Sequence, residues 1–317
     1  MIEKHALRCS VVRFAPSPTG QFHVGNLRTA WIASELAKSY CKELFIRFED
    51  IDRARSFEHF RLAQLRDLTE IGIPSSLASM QSQSLSLHRD WFEKMRAARR
   101  IYPCSCSRSQ VKKDLQALGQ GSAPSVYSFQ SASHDNLRFV YSGRCRPATV
   151  ENALCLEKQA DSDSRSDSSL VNWRWIMESN PSGHFDPIVA RSELSGKAFE
   201  PGYHLACAVD DALLGSPLIV RAWDLESAEA VQSAIREFVS SSSRAEILHT
   251  ALVCDRDGHR LEKRTQGVTL EQLKALGVAT RTVIQWFERS VDIQKLQPPG
   301  ESVRRLLFRV DRGFDLT

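Results

Sequence analysis

A loop between two periodic segments of the chain carries residue types that can bind an anion. Residues 11–14 form a short apolar run with one arginine and predict a buried strand. A helical pattern begins at Asn26, which we expect to be the N-cap. The free N–H groups and positive dipole end of such a helix favour a bound phosphate. His23 in the loop could donate to that phosphate, and Gly25 would let a ligand approach the backbone; the alternative is a tight turn with a solvent-facing histidine.

Three cysteines have a spacing that suits a metal ion. Cys104 and Cys106 are two residues apart, and Cys145 returns after a long polar stretch. Three thiolates and a fourth ligand make a closed tetrahedral zinc site, and binding requires deprotonated thiols. Because C-x-C is less diagnostic than C-x-x-C, the alternative is three small apolar side chains near a surface.

The elements that must position these groups follow from hydrophobic periodicity. Residues 44–48 alternate between apolar and other side chains and predict a strand. Residues 10–56 therefore have the order strand, loop, helix, strand, which is about the length of one βαβ crossover. Two amphipathic helices are predicted after them, over residues 57–71 and 87–98.

Further strands are predicted in the second half of the chain. Residues 171–175 alternate, so Trp173 and Trp175 should pack on a sheet, with stacking on RNA bases as the alternative. Residues 205–209 and residues 218–220 are apolar runs that predict buried strands. Polar groups at the carboxyl ends of parallel strands usually face a ligand crevice.

Composition limits the classes of protein that fit. The 317 residues allow one to three domains, and 42% hydrophobic residues can build a core. The net charge of +4 is compatible with a polyanionic partner without requiring one. No run of 18 apolar residues exists, so we expect no membrane span. Eight cysteines without an apolar signal core indicate a reducing compartment, and we expect a cytoplasmic protein.

Two motifs resemble the signature of one known enzyme family. R-F-A-P-S-P-T-G-x-x-H-x-G at residues 13–25, followed by R-F-E-D-I-D at residues 47–52, is similar to the glutamyl- and glutaminyl-tRNA synthetases of class I. The resemblance covers about residues 9–290. It implies an α/β fold, a Rossmann-type doubly wound catalytic domain with a zinc-binding insertion. It also implies a ligase that activates its amino acid with ATP, accompanied by Mg²⁺.

The resemblance assigns glutamate-binding roles in the first motif. Arg13, Ala15 and Ser17 match the segment that holds the amino acid, and the Arg13 fork can pair with a carboxylate. Glu49 matches the acid that receives the substrate ammonium. The alternative for Glu49 is a surface ion pair with a neighbouring arginine.

The resemblance also implies ATP-binding residues and a catalytic lysine. The family's second histidine of H-x-G-H is Asn26 here, which can hydrogen-bond a phosphate but cannot carry positive charge. The segment H-R-L-E-K-R resembles the K-L-S-K loop, whose lysine stabilises phosphate charge in the transition state. Its key lysine is Lys263, whereas Arg260 and Glu262 depart from the motif. The implied catalytic residues are His23 and Lys263, and the implied ATP-binding residues are His23, Gly25, Asn26 and Lys263.

Two residues of the second half complete the implied glutamate site. Tyr203 and Arg221 match family residues that contact the amino acid, and Arg221 can pair with the glutamate side-chain carboxylate. An ion pair of Arg221 with Asp224 that closes a turn is the alternative. The family has an apolar strand with basic residues before this tyrosine, whereas S-E-L-S-G-K-A-F-E-P-G predicts a shortened or rewritten strand here.

The cysteine pattern resembles one short branch of the family. C-x-C followed by Y-x-x-x-C is similar to the zinc site of the glutamyl-queuosine tRNA(Asp) synthetases. A phenol is an unusual ligand because its unperturbed pKa is about 10, and His134 and Cys155 are rival fourth ligands. The resemblance implies one structural Zn²⁺ held by Cys104, Cys106, Tyr141 and Cys145.

The end of the chain supports the same branch. Thr269 and Gln272 form a capping box that predicts a helix ending at Gly277, and a basic tail follows. A large helical anticodon-binding domain does not fit after the Lys263 loop. We therefore expect ATP-dependent activation of L-glutamate and its transfer to queuosine in the anticodon of tRNA(Asp), by a monomer.

The expected organisation has four segments. Residues 1–98 and 191–268 form the two halves of the catalytic domain, residues 99–190 the zinc-bearing insertion, and residues 269–317 a short helical C-terminal segment. Three other functions stay open. They are a truncated glutamyl-tRNA synthetase charging tRNA(Glu), a zinc-dependent nucleotidyl transferase of another class, and a non-catalytic RNA- or partner-binding descendant.

Overall fold

The computed structural model describes the chain in two compact units. It describes residues 10–74, 78–117, 141–147, 170–178, 186–193, 197–215, 217–242, 245–253 and 268–291. The first unit groups Met1–Gln83 with Asp211–Glu226 and Ser240–Thr317, and the second groups Ser84–Asp210 with Ser227–Val239. The domain boundaries predicted from the sequence stay predictions. No helix in the described ranges is long and apolar enough to cross a membrane.

The described secondary structure consists of short strands and helices of six to sixteen residues. The strands are β1 Val12–Phe14, β2 Leu44–Phe48, β3 Ala78–Met80, β4 Ile101–Cys104, β5 Val171–Trp175, β6 Ile188–Ser192, β7 Phe199–Pro201, β8 Leu218–Ala222 and β9 Glu246–Thr250. The α-helices are α1 Val24–Ser39, α2 Glu58–Glu70, α3 Leu85–Ala97, α4 Arg108–Ala117, α5 Tyr203–Leu213, α6 Glu229–Val239, α7 Leu270–Ala275 and α8 Thr280–Ser290.

The first unit is built on a parallel sheet in the order β3-β2-β1-β8-β9. Every neighbouring pair in it is parallel, with Val12 opposite both Leu44 and Leu218. The predicted strand–loop–helix–strand unit is confirmed as β1, α1 and β2. One apolar cluster joins this sheet to α1, α2, α7 and α8, and the Trp31 and Phe287 rings meet there at 6.0 Å.

The second unit is built on an antiparallel sheet in the order β4-β5-β6-β7. The predicted strand at residues 171–175 is confirmed as β5, and Trp173 and Trp175 are fully buried in the apolar cluster with α3, α5 and α6. Phe92 of α3 meets Trp173 edge-on at 5.3 Å. Sheet packing, rather than stacking on RNA, therefore accounts for both tryptophans.

One strand prediction for this region is wrong. The apolar run at residues 205–209 is part of helix α5, not a strand. A five-residue run that is buried on all sides has no periodicity to separate helix from strand, and its alanines favour the helix. The segment before Tyr203, where a shortened or rewritten strand was expected, carries the three-residue β7, which pairs with β6. Gly202 joins β7 to α5, and a Cβ there would lie 2.7 Å from the Val189 carbonyl oxygen.

Replacing Trp173 with alanine should destabilise the second unit by about 3–5 kcal/mol, because a large buried ring leaves a cavity. The matched control is Trp91→Ala, since Trp91 on α3 is only partly buried and should cost less. Urea unfolding followed by far-ultraviolet circular dichroism measures both. Equal losses of unfolding free energy in the two variants would contradict the proposed packing role of Trp173.

Candidate active site and metal centre

Three of the predicted glutamate-binding residues lie on adjacent parallel strands of the first unit. Arg13 is on β1, Glu49 directly follows β2, and Arg221 is on β8. All three are buried, with at most 9% of each residue exposed. Because these strands are parallel, their carboxyl ends meet at one edge of the sheet, which is where such folds bind ligands.

A network of four charged groups occupies this edge. The Glu49 carboxylate oxygen Oε1 lies 3.0 Å from Nη2 of Arg13 and 3.3 Å from Nη2 of Arg47. The Asp211 oxygen Oδ1 lies 3.2 Å from Nε of Arg13 and 2.7 Å from Nη1 of Arg47. Each carboxylate therefore bridges the same two guanidinium groups. Two positive and two negative charges cancel, which is what permits them to be buried.

The sequence missed half of this network. Glu49 was predicted to receive an ammonium, with an ion pair to a neighbouring arginine as the alternative; in the structure it pairs with Arg47, but in the interior. Alternation along β2 signals that Arg47 and Glu49 share a face. Asp211 had no such signal, because it comes from α5, a segment that was predicted to be a strand.

Arg221 is held by a neighbouring strand. Arg221 and His249 are paired in the register of β8 and β9, and the Arg221 Nε donates to Nε2 of His249 at 3.0 Å. The Trp223 ring meets the imidazole edge-on at 5.5 Å. An imidazole that accepts through Nε2 is neutral. His249 was not identified from the sequence.

Helix α1 begins three residues before the predicted position. His23 is the N-cap: its Nδ1 accepts from the Gly25 N–H at 3.1 Å, and its own N–H donates to Oδ1 of Asn26 at 3.3 Å. Asn26 is therefore the third residue of a capping box and not the N-cap. A Cβ on Gly25 would lie 2.9 Å from the His23 ring, so this position requires glycine while the cap is formed.

A buried arginine anchors the same helix. Arg28 is 2% exposed, donates to Oγ of Ser290 at 2.8 Å and to the Ser290 carbonyl at 3.3 Å, and also reaches the Ala251 carbonyl. Ser290 is the last residue of α8, so the cation lies at the negative end of a helix dipole. Burial lowers the pKa of Arg28 to about 10. The arginine ties α1 to α8 and so fixes the helix that carries His23.

The remaining predicted residues are placed as follows. Ser17 lies in the loop after β1, where its carbonyl accepts from the fully buried Gln64 at 3.1 Å, and Ala15 is half-buried in the same loop. Tyr203 is the first residue of α5 and belongs to the second unit. Lys263 lies outside the described residues, as do Arg260 and Glu262.

The three predicted cysteine ligands come together in the second unit. The Sγ atoms of Cys104, Cys106 and Cys145 all lie within 4.8 Å of one another, with Cys106 and Cys145 at 3.4 Å. The Tyr141 hydroxyl lies 3.4 Å from Cys104 Sγ and 3.7 Å from Cys106 Sγ. Tetrahedral bonds of about 2.3 Å to sulfur and 2.0 Å to oxygen require separations of about 3.8 Å and 3.5 Å. The four groups therefore fit one zinc ion.

Burial and hydrogen bonds within this cluster shift the pKa values of its members. Burial, and then the neighbouring Cys104, raise the pKa of Tyr141, so the phenol stays protonated in the absence of a metal. Hydrogen bonds from Cys106 and Cys145 lower the pKa of Cys104. The backbone N–H of Cys145 donates to the Tyr141 oxygen at 2.8 Å. The rival ligands His134 and Cys155 lie outside the described residues.

A parallel sheet with a helix N-terminus and buried arginines at its edge is the arrangement of a Rossmann-like ligand-binding domain. The family described as the catalytic domain of class I tRNA synthetases (E and Q) matches residues 10–293. The chain belongs to this family and is a ligase of the class I aminoacyl-tRNA synthetase type. The fold and family predicted from the sequence are thereby confirmed.

Three known proteins show how far the similarity extends. A glutamyl-Q tRNA(Asp) synthetase of Cutibacterium acnes is 31% identical over 95% of this chain and 81% of its own. A glutamate–tRNA ligase of Syntrophus aciditrophicus is 26% identical over 87% of this chain and 56% of its own. The crystal structure of a glutamate-tRNA synthetase from Elizabethkingia anophelis superposes with a TM-score of 0.61 at 18% identity, over 81% of this chain. The chain spans about half of that last protein, at 53%.

Replacing Asp211 with asparagine should destabilise the first unit by about 3–5 kcal/mol, because two buried guanidinium groups would then share one carboxylate. The control is Glu70→Gln, which breaks an exposed pair with Lys274 and should cost at most about 1 kcal/mol. Urea denaturation midpoints compare them. If Asp211→Asn lowered the free energy of unfolding no more than the control does, the four buried charges would not depend on one another for stability.

Proposed function

We propose that the chain activates glutamate with ATP and transfers the glutamyl group to queuosine in the anticodon of tRNA(Asp). The observation that carries the activation step is the buried arginine and carboxylate set at the edge of the parallel sheet. The transfer step is supported by similarity to a relative named glutamyl-Q tRNA(Asp) synthetase over 81% of that relative.

The charges of the site suit glutamate. The four groups of the network sum to zero, and Arg221 adds one positive charge beside neutral His249. Glutamate has a net charge of −1, so its binding neutralises the site. In this proposal Arg221 receives the side-chain carboxylate, while Arg13 and Glu49 exchange part of their mutual contact for the substrate carboxylate and ammonium. Ala15, Ser17 and Tyr203 complete the proposed contacts.

ATP is proposed to bind at the start of α1. The positive dipole end of α1 favours a bound phosphate, and the His23 ring, which accepts through Nδ1, can donate its Nε2 proton to a phosphate oxygen. Gly25 permits close approach, and Asn26 holds the cap. Lys263 supplies charge to the phosphates, with Mg²⁺ accompanying ATP. A glutamate carboxylate oxygen attacks the α-phosphorus and pyrophosphate leaves, so no protein nucleophile is needed.

The metal centre is proposed to be structural. Cys104, Cys106, Cys145 and Tyr141 would hold one Zn²⁺ and close its coordination, and the fit of their distances supports this. A zinc ion there would stabilise the part of the second unit that follows β4. The proposed reaction does not pass through it. We propose further that the protein acts as a monomer in the cytoplasm, where its tRNA is found.

A second candidate is the charging of tRNA(Glu). It is favoured by similarity to a relative named glutamate–tRNA ligase, at 26% identity over 87% of this chain. The zinc-dependent nucleotidyl transferase of another class is disfavoured by family membership. A non-catalytic descendant would belong to the same family, and ATP–pyrophosphate exchange separates it from the enzyme.

The deciding experiment has two stages. ATP–pyrophosphate exchange with glutamate is measured first without tRNA, in zinc-loaded protein. Transfer of labelled glutamate is then compared between tRNA(Asp) with queuosine, tRNA(Asp) lacking queuosine, and tRNA(Glu). Labelling of the first alone supports the proposal, labelling of tRNA(Glu) supports the second candidate, and no exchange with any tRNA overturns both.

Replacing Lys263 with alanine should lower the rate of pyrophosphate exchange by about 10²–10³-fold, because one charge on the phosphates is lost in the transition state. Lys274→Ala removes an exposed lysine paired with Glu70 and is the control that should keep the wild-type rate. An unchanged rate in Lys263→Ala would remove this lysine from the mechanism.

Replacing Cys104 with serine should abolish stoichiometric zinc, since a closed site loses one of its four ligands. The control is Cys41→Ser, because Cys41 is exposed and lies in the first unit. Metal content after dialysis, measured by mass spectrometry, should be one zinc per chain in the wild type and the control. Retention of one zinc in Cys104→Ser would show that the metal binds elsewhere.

A further inference from the structure

Arg174 is a buried cation on the metal side of the antiparallel sheet. It lies between Trp173 and Trp175 on β5 but on the opposite face, and only 4% of it is exposed. In the register with β4 it is opposite Tyr102, two residues from Cys104. The pairing of β5 with β6 shifts between Trp173 and Arg174, and such bulges re-aim a side chain.

The guanidinium of Arg174 lies over the ring of the proposed tyrosine ligand. Its Cζ is 3.6 Å from the centroid of the Tyr141 ring, well within the distance at which a cation is attracted by a ring face. Its Nη1 donates to the backbone carbonyl of Asp186 at 2.6 Å. The attraction increases when the ring carries the negative charge of a phenolate.

No carboxylate neutralises Arg174 within the described ranges of the chain. Asp186, whose backbone carbonyl Arg174 contacts, is fully buried, and its carboxylate accepts from Arg146 at 2.7 and 2.8 Å, from the Tyr102 hydroxyl at 2.9 Å and from the Met177 N–H at 2.9 Å. Arg174 reaches only the carbonyl of this residue. A buried cation requires an anion, because its desolvation is otherwise uncompensated.

The proposed metal centre would supply the negative charge that the buried Arg174 cation requires. Zn²⁺ with three thiolates and one phenolate has a net charge of −2. We propose that Arg174 is the counter-ion of this centre and the positioning residue that holds Tyr141 as the fourth ligand, an inference that rests on the proposed zinc site. The guanidinium fixes the face of the ring, and the Cys145 N–H, 2.8 Å from the Tyr141 oxygen, fixes its hydroxyl end.

The first test measures metal affinity. Zn²⁺ affinity is determined by competition with a chromophoric chelator for wild type, Arg174→Met and Arg174→Lys. Loss of an outer partner of a metal ligand typically costs 10–100-fold in affinity, so Arg174→Met should lose about that much. Arg174→Lys keeps the charge and should lose less. Arg191→Met is the control, since Arg191 lies on neighbouring β6 but is exposed and paired with Glu200, and its affinity should equal that of the wild type.

The second test asks whether Arg174 acts through the tyrosine. Binding of Zn²⁺ or Co²⁺ to wild type should produce the ultraviolet difference spectrum of a tyrosinate, and this signal should weaken in Arg174→Met and vanish in Tyr141→Phe. The fold-loss caused by Arg174→Met should be smaller in the Tyr141→Phe background. A purely structural arginine would cost the same in both backgrounds.

The outcomes separate the two proposals. Wild-type protein that binds no zinc refutes the metal centre and with it the role of Arg174. Zinc-loaded wild type with unchanged affinity in Arg174→Met, or with equal losses in both backgrounds, overturns the role of Arg174 alone. Circular dichroism checks folding; if Arg174→Met does not fold, Tyr141→Phe still decides, because unchanged zinc affinity and an unchanged ultraviolet signal there would overturn the inference.

Discussion

The buried ion-pair network at the edge of the parallel sheet is the constraint on which the catalytic unit depends. Arg13 and Arg47 come from two strands, Glu49 directly follows the second strand and Asp211 comes from a helix, and each of these charges is offset by its partners in the interior. Their mutual contacts hold two of the proposed substrate-binding groups in place before any ligand arrives. Binding can then exchange one charge partner for another instead of desolvating a new charge.

The proposed ATP subsite depends on the start of helix α1 and on the contacts that hold this helix in place. The start of α1 is shaped by the His23 cap and the space left by Gly25. Arg28, one turn into the helix, is bound to the end of α8. The start of a helix can turn its positive dipole end and its cap residue towards a ligand only if the helix itself is held in position, and this buried arginine provides that restraint.

The antiparallel sheet packs against an apolar core on one face and against the metal cluster on the other, because successive side chains of a strand point to opposite faces. Trp173 and Trp175 project from one face of β5 into an apolar core, whereas Arg174 projects from the other face towards Tyr141. The same alternation puts Cys104 with the metal cluster and Ile101 with the core. One sheet can therefore support a core and a charged site because alternate side chains never share an environment.

The sequence by itself determined the features that depend on near neighbours in the chain. Periodicity identified β1, α1, β2 and β5, the Thr269 capping box is present as predicted, and spacing identified three cysteines that do meet. It failed where local pattern is ambiguous: the short apolar run in α5 was assigned as a strand, and the cap of α1 was placed at Asn26 instead of His23. Tertiary structure alone decided which charges meet. Arg47 and Asp211 are 164 residues apart, and no local pattern marks Arg174 as a partner of Tyr141, because the energy of a buried charge depends on partners that sequence spacing does not reveal.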